Sequence, residues 1–245
     1  MADFDPLQYI NDPEDGQSMY VRMTRSSRPL LVSCRLCEHL APCGLLGPVL
    51  MVPGKILNIP IYATTQNAAR LGSTVSEVTS LFEGSTPTPL EVDKTAFSML
   101  VPQINNALFA QASSSPHTPS SISPASASPL TIILVGIETH ICVTQTTLDL
   151  LSLGHKVYIL QDGVSSCNAG ERPIALARLA REGAVVTTSE SVLFELVQDA
   201  SDKNFKAIAG LVKEMKEETK KAVETFCGGG GRAEETGVDV GGTKL

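Results

Sequence analysis

Residues 130–137 read LTIILVGI, a run that is apolar at almost every position and rich in β-branched side chains. It is too short to cross a bilayer as a helix, which takes about 20 apolar residues. It also lacks the alternation of a strand with one wet face. It reads as a strand buried on both faces, and such a strand needs a sheet with helices above and below it. Shorter runs of the same kind occur at 30–32 (LLV), 59–64 (IPIYAT), 156–161 (KVYILQ) and 184–187 (AVVT). Helical patterns separate the last three strands. Residues 144–153 carry Leu148, Leu150 and Leu151 and stop at Gly154; residues 172–182 carry Ile174, Leu176 and Leu179 and stop at Gly183. A terminal glycine is a common helix stop. Strand, helix, glycine, strand, repeated twice, is the βαβ pattern of a parallel sheet, so the fold class is α/β. Residues 191–198 read as a further helix. Residues 204–226 read as one last helix with a Lys- and Glu-rich outer face.

The chain has 245 residues, a size that suits one α/β domain with extensions. Residues 29–226 are expected to form it. Residues 1–28 read as a flexible polar arm, residues 112–129 as a Ser/Pro-rich insertion, and residues 227–245 as a Gly-rich disordered tail. The net charge of −7 repels phosphate backbones, so no nucleic-acid partner is expected. No membrane partner is expected either, because no apolar run approaches a bilayer span. The N-terminus shows no basic stretch followed by an apolar one. Six cysteines are too few for a disulfide scaffold, and free thiols in the cytoplasm are the simpler reading.

Chemistry concentrates after the best strand. Cys142 falls near the first turn of the helix that follows it. Backbone amides lack partners there and the helix dipole favours negative charge, which suits the nucleophilic thiolate. Ligands in open α/β sheets bind at the carboxyl ends of strands, where this turn must lie. The alternative is a small cysteine packed beneath the helix. His140, two residues earlier, suggests a Cys–His pair, but neighbouring positions at a helix start point to different sides, so a rim position is expected.

The segment GIETHICVTQTTLDLL (136–151) resembles the nucleophile segment of the isochorismatase-like cysteine hydrolases, specifically the isochorismatase domain-containing group. The resemblance extends through ILNIPIYATTQ (56–66), DKTAFSM (93–99), KVYILQDGVSS (156–166) and TTSESVLFEL (187–196). It implies a three-layer α/β/α fold with a mainly parallel six-stranded sheet and a Cys-Lys-Asp triad acting on a small carbonyl or amide substrate without a cofactor. Carried over, Cys142 is the nucleophile and Lys94 the triad lysine; by chemistry alone Lys94 could equally be a surface charge. The backbone amides of Glu138 and Cys142 become an oxyanion hole, shaped by a cis peptide between Ile137 and Glu138. Gln66, Phe97 and His140 become tentative pocket residues, with core packing the alternative for Phe97.

The sequence departs from the family where the triad aspartate belongs. Residues 31–38 read LVSCRLCE, and Arg35 occupies the aspartate position. Guanidinium stays protonated and cannot accept a proton. Glu38 is the nearest carboxylate, three residues too far along the chain. Residues 40–54 (LAPCGLLGPVLMVPG) hold three prolines and three glycines where the family has a helix, which that density opposes. Natural decay and a misassigned splice junction both account for the segment; its abrupt edges favour the second. Activity is therefore expected to be impaired, the alternative being an inactive member that binds a small molecule or a protein. Cys34, Cys37, His39 and Cys43 offer half a zinc spacing without its second half, so no metal is expected. A homo-oligomer is expected because the resemblance implies a family whose members usually associate, and because 191–198 carries Leu193, Phe194, Leu196 and Val197, more apolar area than one helix face requires; packing within the domain is the alternative.

Overall fold

The computed structural model describes residues 30–33, 56–85, 87–113 and 129–227. The expected arm (1–28), Arg35, Glu38, the cysteine group at 34–43, the 40–54 segment and most of the expected insertion and tail lie outside the described residues.

Six parallel strands form one sheet: β1 (Leu30–Ser33), β2 (Ile61–Gln66), β3 (Leu90–Lys94), β4 (Thr131–Ile137), β5 (Lys156–Ser165) and β6 (Val185–Thr187), in the order β3-β2-β1-β4-β5-β6. The five apolar runs account for all but β3. That strand lies at the edge, and its LEVDK sequence alternates between half-buried and exposed positions over its first four residues. An edge strand needs no continuous apolar run.

Around the sheet lie α1 (Ala68–Leu71), α2 (Ser76–Phe82), α3 (Pro102–Ser113), α4 (Thr144–Ser152), α5 (Glu171–Arg181), α6 (Ser189–Val197), α7 (Phe205–Glu214) and α8 (Lys216–Phe226). The single helix expected over 204–226 is two helices, broken at Met215 (φ −89°, ψ 9°), which packs against the buried Leu193, Val197 and Ile208. α3 ends at Ser113, so it takes in the first two residues of the expected insertion. The glycine stop after α4 is realised at Gly154, with φ 79°, a left-handed conformation that side-chain-bearing residues avoid.

Strand periodicity divides the core into two layers. Ile132 and Leu134 of β4, with Val157 and Ile159 of β5, pack with Met99, Ile104, Leu150 and Leu179. The alternate residues Ile133, Val135, Tyr158 and Leu160 pack on the other face with Val78, Val192 and Leu196. Both faces are covered, as the unbroken apolar runs require.

β5 leaves this alternation once. Leu134 pairs with Ile159 and Gly136 with Val164, so β5 spends three more residues than β4 over the same stretch. That odd number returns Val164 to the layer of Ile159. Inside the bulge, a Cβ on Gly163 would lie 2.9 Å from both Leu160 Cβ and Val135 Cγ1, so only glycine fits. The buried Asp162 receives the amide and hydroxyl of Ser189 at the start of α6. The Arg172 guanidinium donates to the carbonyls of Val164, Gln161 and Phe226, tying α8 to the bulge.

Candidate active site

The chain runs outward from β1 to β2 and β3, then returns to β4 on the other side of β1. In open α/β sheets ligands bind at the carboxyl ends of the strands where the order reverses, which here is the end beside β1 and β4. Lys94 ends β3, Gln66 ends β2 in register with it, and Ile137 ends β4. Arg35, two residues beyond the last residue of β1, lies outside the described residues.

After β4 the Ile137–Glu138 peptide bond is cis. The chain then makes a π-helical turn over Thr139–Val143 before α4 begins. The amides of Ile141 and Val143 both donate to the Glu138 carbonyl at 3.1 Å. Cys142 sits in this turn with 7% of its surface exposed and its thiol free. The turn is fastened to the end of β5: Thr139 Oγ1 donates to Ser165 O at 2.9 Å, and Glu138 Oε2 accepts the Cys167 amide at 2.7 Å. His140 Nδ1 lies 3.0 Å from Ser166 Oγ and 3.9 Å from Glu138 Oε2, on the side of this fastening.

Lys94 is 5% exposed, an unusual burial for lysine. Its ammonium donates to Gln66 Oε1 at 2.6 Å, Ala96 O at 2.8 Å and Phe97 O at 3.0 Å. Burial lowers its pKa from the ordinary lysine value, while the nearby Cys142 and Asp93 act in the opposite sense. Lys94 and Cys142 thus follow strands on opposite flanks of β1, near enough for their charges to interact. None of the three acceptors is a carboxylate. Asp93 faces elsewhere: it accepts the Thr65 hydroxyl at 2.7 Å and the Ala68 amide at 2.9 Å, bonds that hold its pKa below the usual carboxylate range.

Of the tentative pocket residues, Gln66 touches Lys94 directly, and its Nε2 donates to Thr95 O at 2.7 Å. Phe97 is 50% exposed beside this group, which removes core packing as its explanation. The α6 residues behave differently from the oligomer argument. Leu193, Leu196 and Val197 are buried within the chain, and Phe194 alone of the four is exposed, at 39%. Intrachain packing uses that apolar area. Sequence reasoning missed Thr146, whose hydroxyl accepts the Met99 amide and donates to Cys142 O. It also missed Ser165 and Ser166 as anchors, although KVYILQDGVSS had already drawn attention to the segment. Among the described residues, no group of three or more His, Cys, Asp or Glu side chains is placed to hold a metal. Nor is any described helix long and apolar enough to cross a membrane.

The profile of the isochorismatase domain matches residues 54–191. The secreted isochorismatase effector Isc1 of Phytophthora sojae is 42% identical over 160 residues, covering 65% of this chain and 69% of that protein. Isochorismatase domain-containing protein 1 of Danio rerio is 38% identical over 168 residues, covering 69% of this chain but only 52% of its own length. Among solved structures, the MAR1 ribonuclease from Caenorhabditis elegans aligns with a TM-score of 0.65 at 26% identity, covering 91% of this chain and 100% of that one.

Proposed function

The chain belongs to the isochorismatase family, and we propose that it is a cysteine hydrolase of small carbonyl or amide compounds whose turnover Arg35 holds low. The observation that supports this is the pairing of a buried free thiol, Cys142, with a buried ammonium, Lys94. A fixed cation stabilises a thiolate, the form of cysteine that attacks carbonyl carbon.

In this reading Cys142 Sγ bonds to the substrate carbonyl carbon, and the C=O electron pair moves onto oxygen. The amides of Glu138 and Cys142 stabilise that oxyanion. Its collapse expels the amine, which leaves with a proton, and a thioester remains. Water then cleaves the C–S bond, releasing the acid and returning the thiol. No cofactor is needed. Both proton transfers need a group that gives and takes protons at neutral pH. Among the described residues, Lys94 donates to an amide oxygen and two carbonyls and to no carboxylate. With arginine at the aspartate position, attack is retained and proton transfer fails. The same observation favours the second reading, a member that binds small molecules or a protein partner without turning substrate over.

The described cysteines are free thiols, in keeping with a cytoplasmic setting. Support for a homo-oligomer comes from resemblance to an associating family, since α6 spends its apolar side chains internally. A monomeric mass by light scattering at micromolar concentration overturns it.

The functional test is iodoacetamide labelling resolved by mass spectrometry, with hydrolysis assays on a panel of small amides and a single-stranded RNA. Cys142 is expected to label ahead of Cys167 and Cys227, while amide hydrolysis stays near background and the RNA stays intact. Arg35→Asp alone should recover little activity. Replacing 35–54 with an aspartate-bearing helix should recover turnover. Labelling spread evenly over the cysteines overturns the nucleophile. Strong Cys142-dependent hydrolysis by the unaltered chain overturns the impairment.

A further inference from the structure

Three threonines open α4, and their hydroxyls all bond back to carbonyls of the turn before them. Thr144 donates to Thr139 O at 2.7 Å, Thr146 to Cys142 O at 2.6 Å and Thr147 to Val143 O at 2.8 Å. Bonds of this type are ordinary in helices. Thr146 does something more: it also accepts the Met99 amide at 2.9 Å, from a residue 47 positions away in sequence. A hydroxyl has one hydrogen to give and lone pairs to receive with, so both bonds form at once. Thr146 is completely buried, which keeps water from competing for either partner.

The second bond matters because of what Met99 terminates. The loop between Lys94 and Met99 supplies the carbonyls of Ala96 and Phe97 that hold the Lys94 ammonium. The Thr146 hydroxyl therefore links the carbonyl of the nucleophile to the far end of the loop that fixes the cation. We propose that Thr146 is a positioning residue that sets the placement of Lys94 relative to Cys142 through this two-sided hydroxyl bridge. The inference rests on the reading of Cys142 as the nucleophile. Thr147 supplies an internal comparison: it is equally buried on the same helix and makes the same kind of backward bond, to the neighbouring Val143 carbonyl.

The experiment is a double-mutant cycle read by the rate of iodoacetamide labelling at Cys142 in the full chain. Thr146→Val keeps the shape and removes the hydroxyl; Thr146→Ser keeps the hydroxyl. In the unaltered chain, Lys94→Met is expected to slow Cys142 labelling about tenfold, and in the Thr146→Val background only about twofold, since residues in one hydrogen-bond network couple. Thr146→Ser should restore the full Lys94 effect, and Thr147→Val should leave it intact. A merely structural loss lowers stability in both valine variants alike without changing the effect of Lys94. Equal Lys94 effects in the Thr146→Val and Thr147→Val backgrounds overturn the bridge while leaving the nucleophile in place. If Cys142 labels no faster than Cys167 in the unaltered chain, the nucleophile reading falls and the bridge falls with it.

Discussion

The two ends of the sheet solve the same problem in opposite ways. At the amino end, backbone groups of Leu130 and of the turn between α4 and β5 satisfy one another, with the His155 ring as the side-chain partner. Leu130 O accepts the Lys156 amide at 2.9 Å, the Leu130 amide donates to His155 Nδ1 at 3.2 Å, and the His155 amide returns to Leu150 O at 3.1 Å. At the carboxyl end the group to be satisfied is a side-chain charge. A buried ammonium is held by Gln66 and two loop carbonyls, and the cysteine turn hangs from β5 and from Met99. Burying an ammonium is costly even when it is hydrogen-bonded. The difference teaches where to look for chemistry: one end stabilises the fold at little electrostatic cost, while the other accepts that cost to fix a charge beside a thiol.

The comparison breaks most directly at Lys94. Lys94→Met should lower any Cys142-dependent turnover, measured in the aspartate-restored chain, by about two orders of magnitude or more. Its unfolding free energy in urea should change by less than about 2 kcal/mol, because removing a buried charge offsets the lost hydrogen bonds. A large loss of stability with activity preserved would make Lys94 structural and erase the contrast. The next largest effect is expected at the bulge beneath the site. Gly163→Ala drives a methyl against Leu160 and Val135 and should destabilise by about 1–3 kcal/mol. Thermal unfolding reads this directly; an unchanged midpoint would mean that the bulge yields easily.

The amino end makes a prediction about pH. Burial holds the pKa of His155 below its ordinary 6.5. As pH falls through 6.5, the unfolded chain takes up this proton before the folded one does, so stability is lost from there downward to the folded value. Urea midpoints should be lower at about pH 5.5 than at about pH 7.5, and His155→Gln should shrink that difference. An undiminished difference in the variant assigns the effect to other groups. The smallest effect belongs to Phe97. Being half exposed, Phe97→Ala should cost no more than about 0.5 kcal/mol of stability, while KM in the restored enzyme rises. An unchanged KM removes Phe97 from the pocket.

What could be read from the chain follows from how local each signal is. β4 and β5 are legible because strands buried on both faces must be apolar throughout. β3 is not, because an edge strand tolerates Glu91 and Asp93. The break at Met215 escapes notice because no glycine or proline marks it; Met215 itself packs against Leu193 and Val197. Cys142 could be suspected from its place after a strand. Lys94 looked like any lysine until the DKTAFSM resemblance, and only the fold shows it buried. Thr146 carries no such signal, since the bond that sets it apart comes from an amide 47 residues away.

The bulge in β5 has a consequence for how this chain tolerates change in length. A strand has two phases, and three surplus residues switch β5 from one to the other. Downstream of the switch, the carbonyl of Val164 faces Arg172 and that of Ser165 faces Thr139. Losing or gaining a single residue between Leu160 and Gly163 would invert this phase, turning Val164 out of its core layer and freeing the cysteine turn from its Ser165 anchor. A change of two would keep the phase. Length variation at this point should therefore be quantised in pairs, a parity rule written by the pleat of the strand.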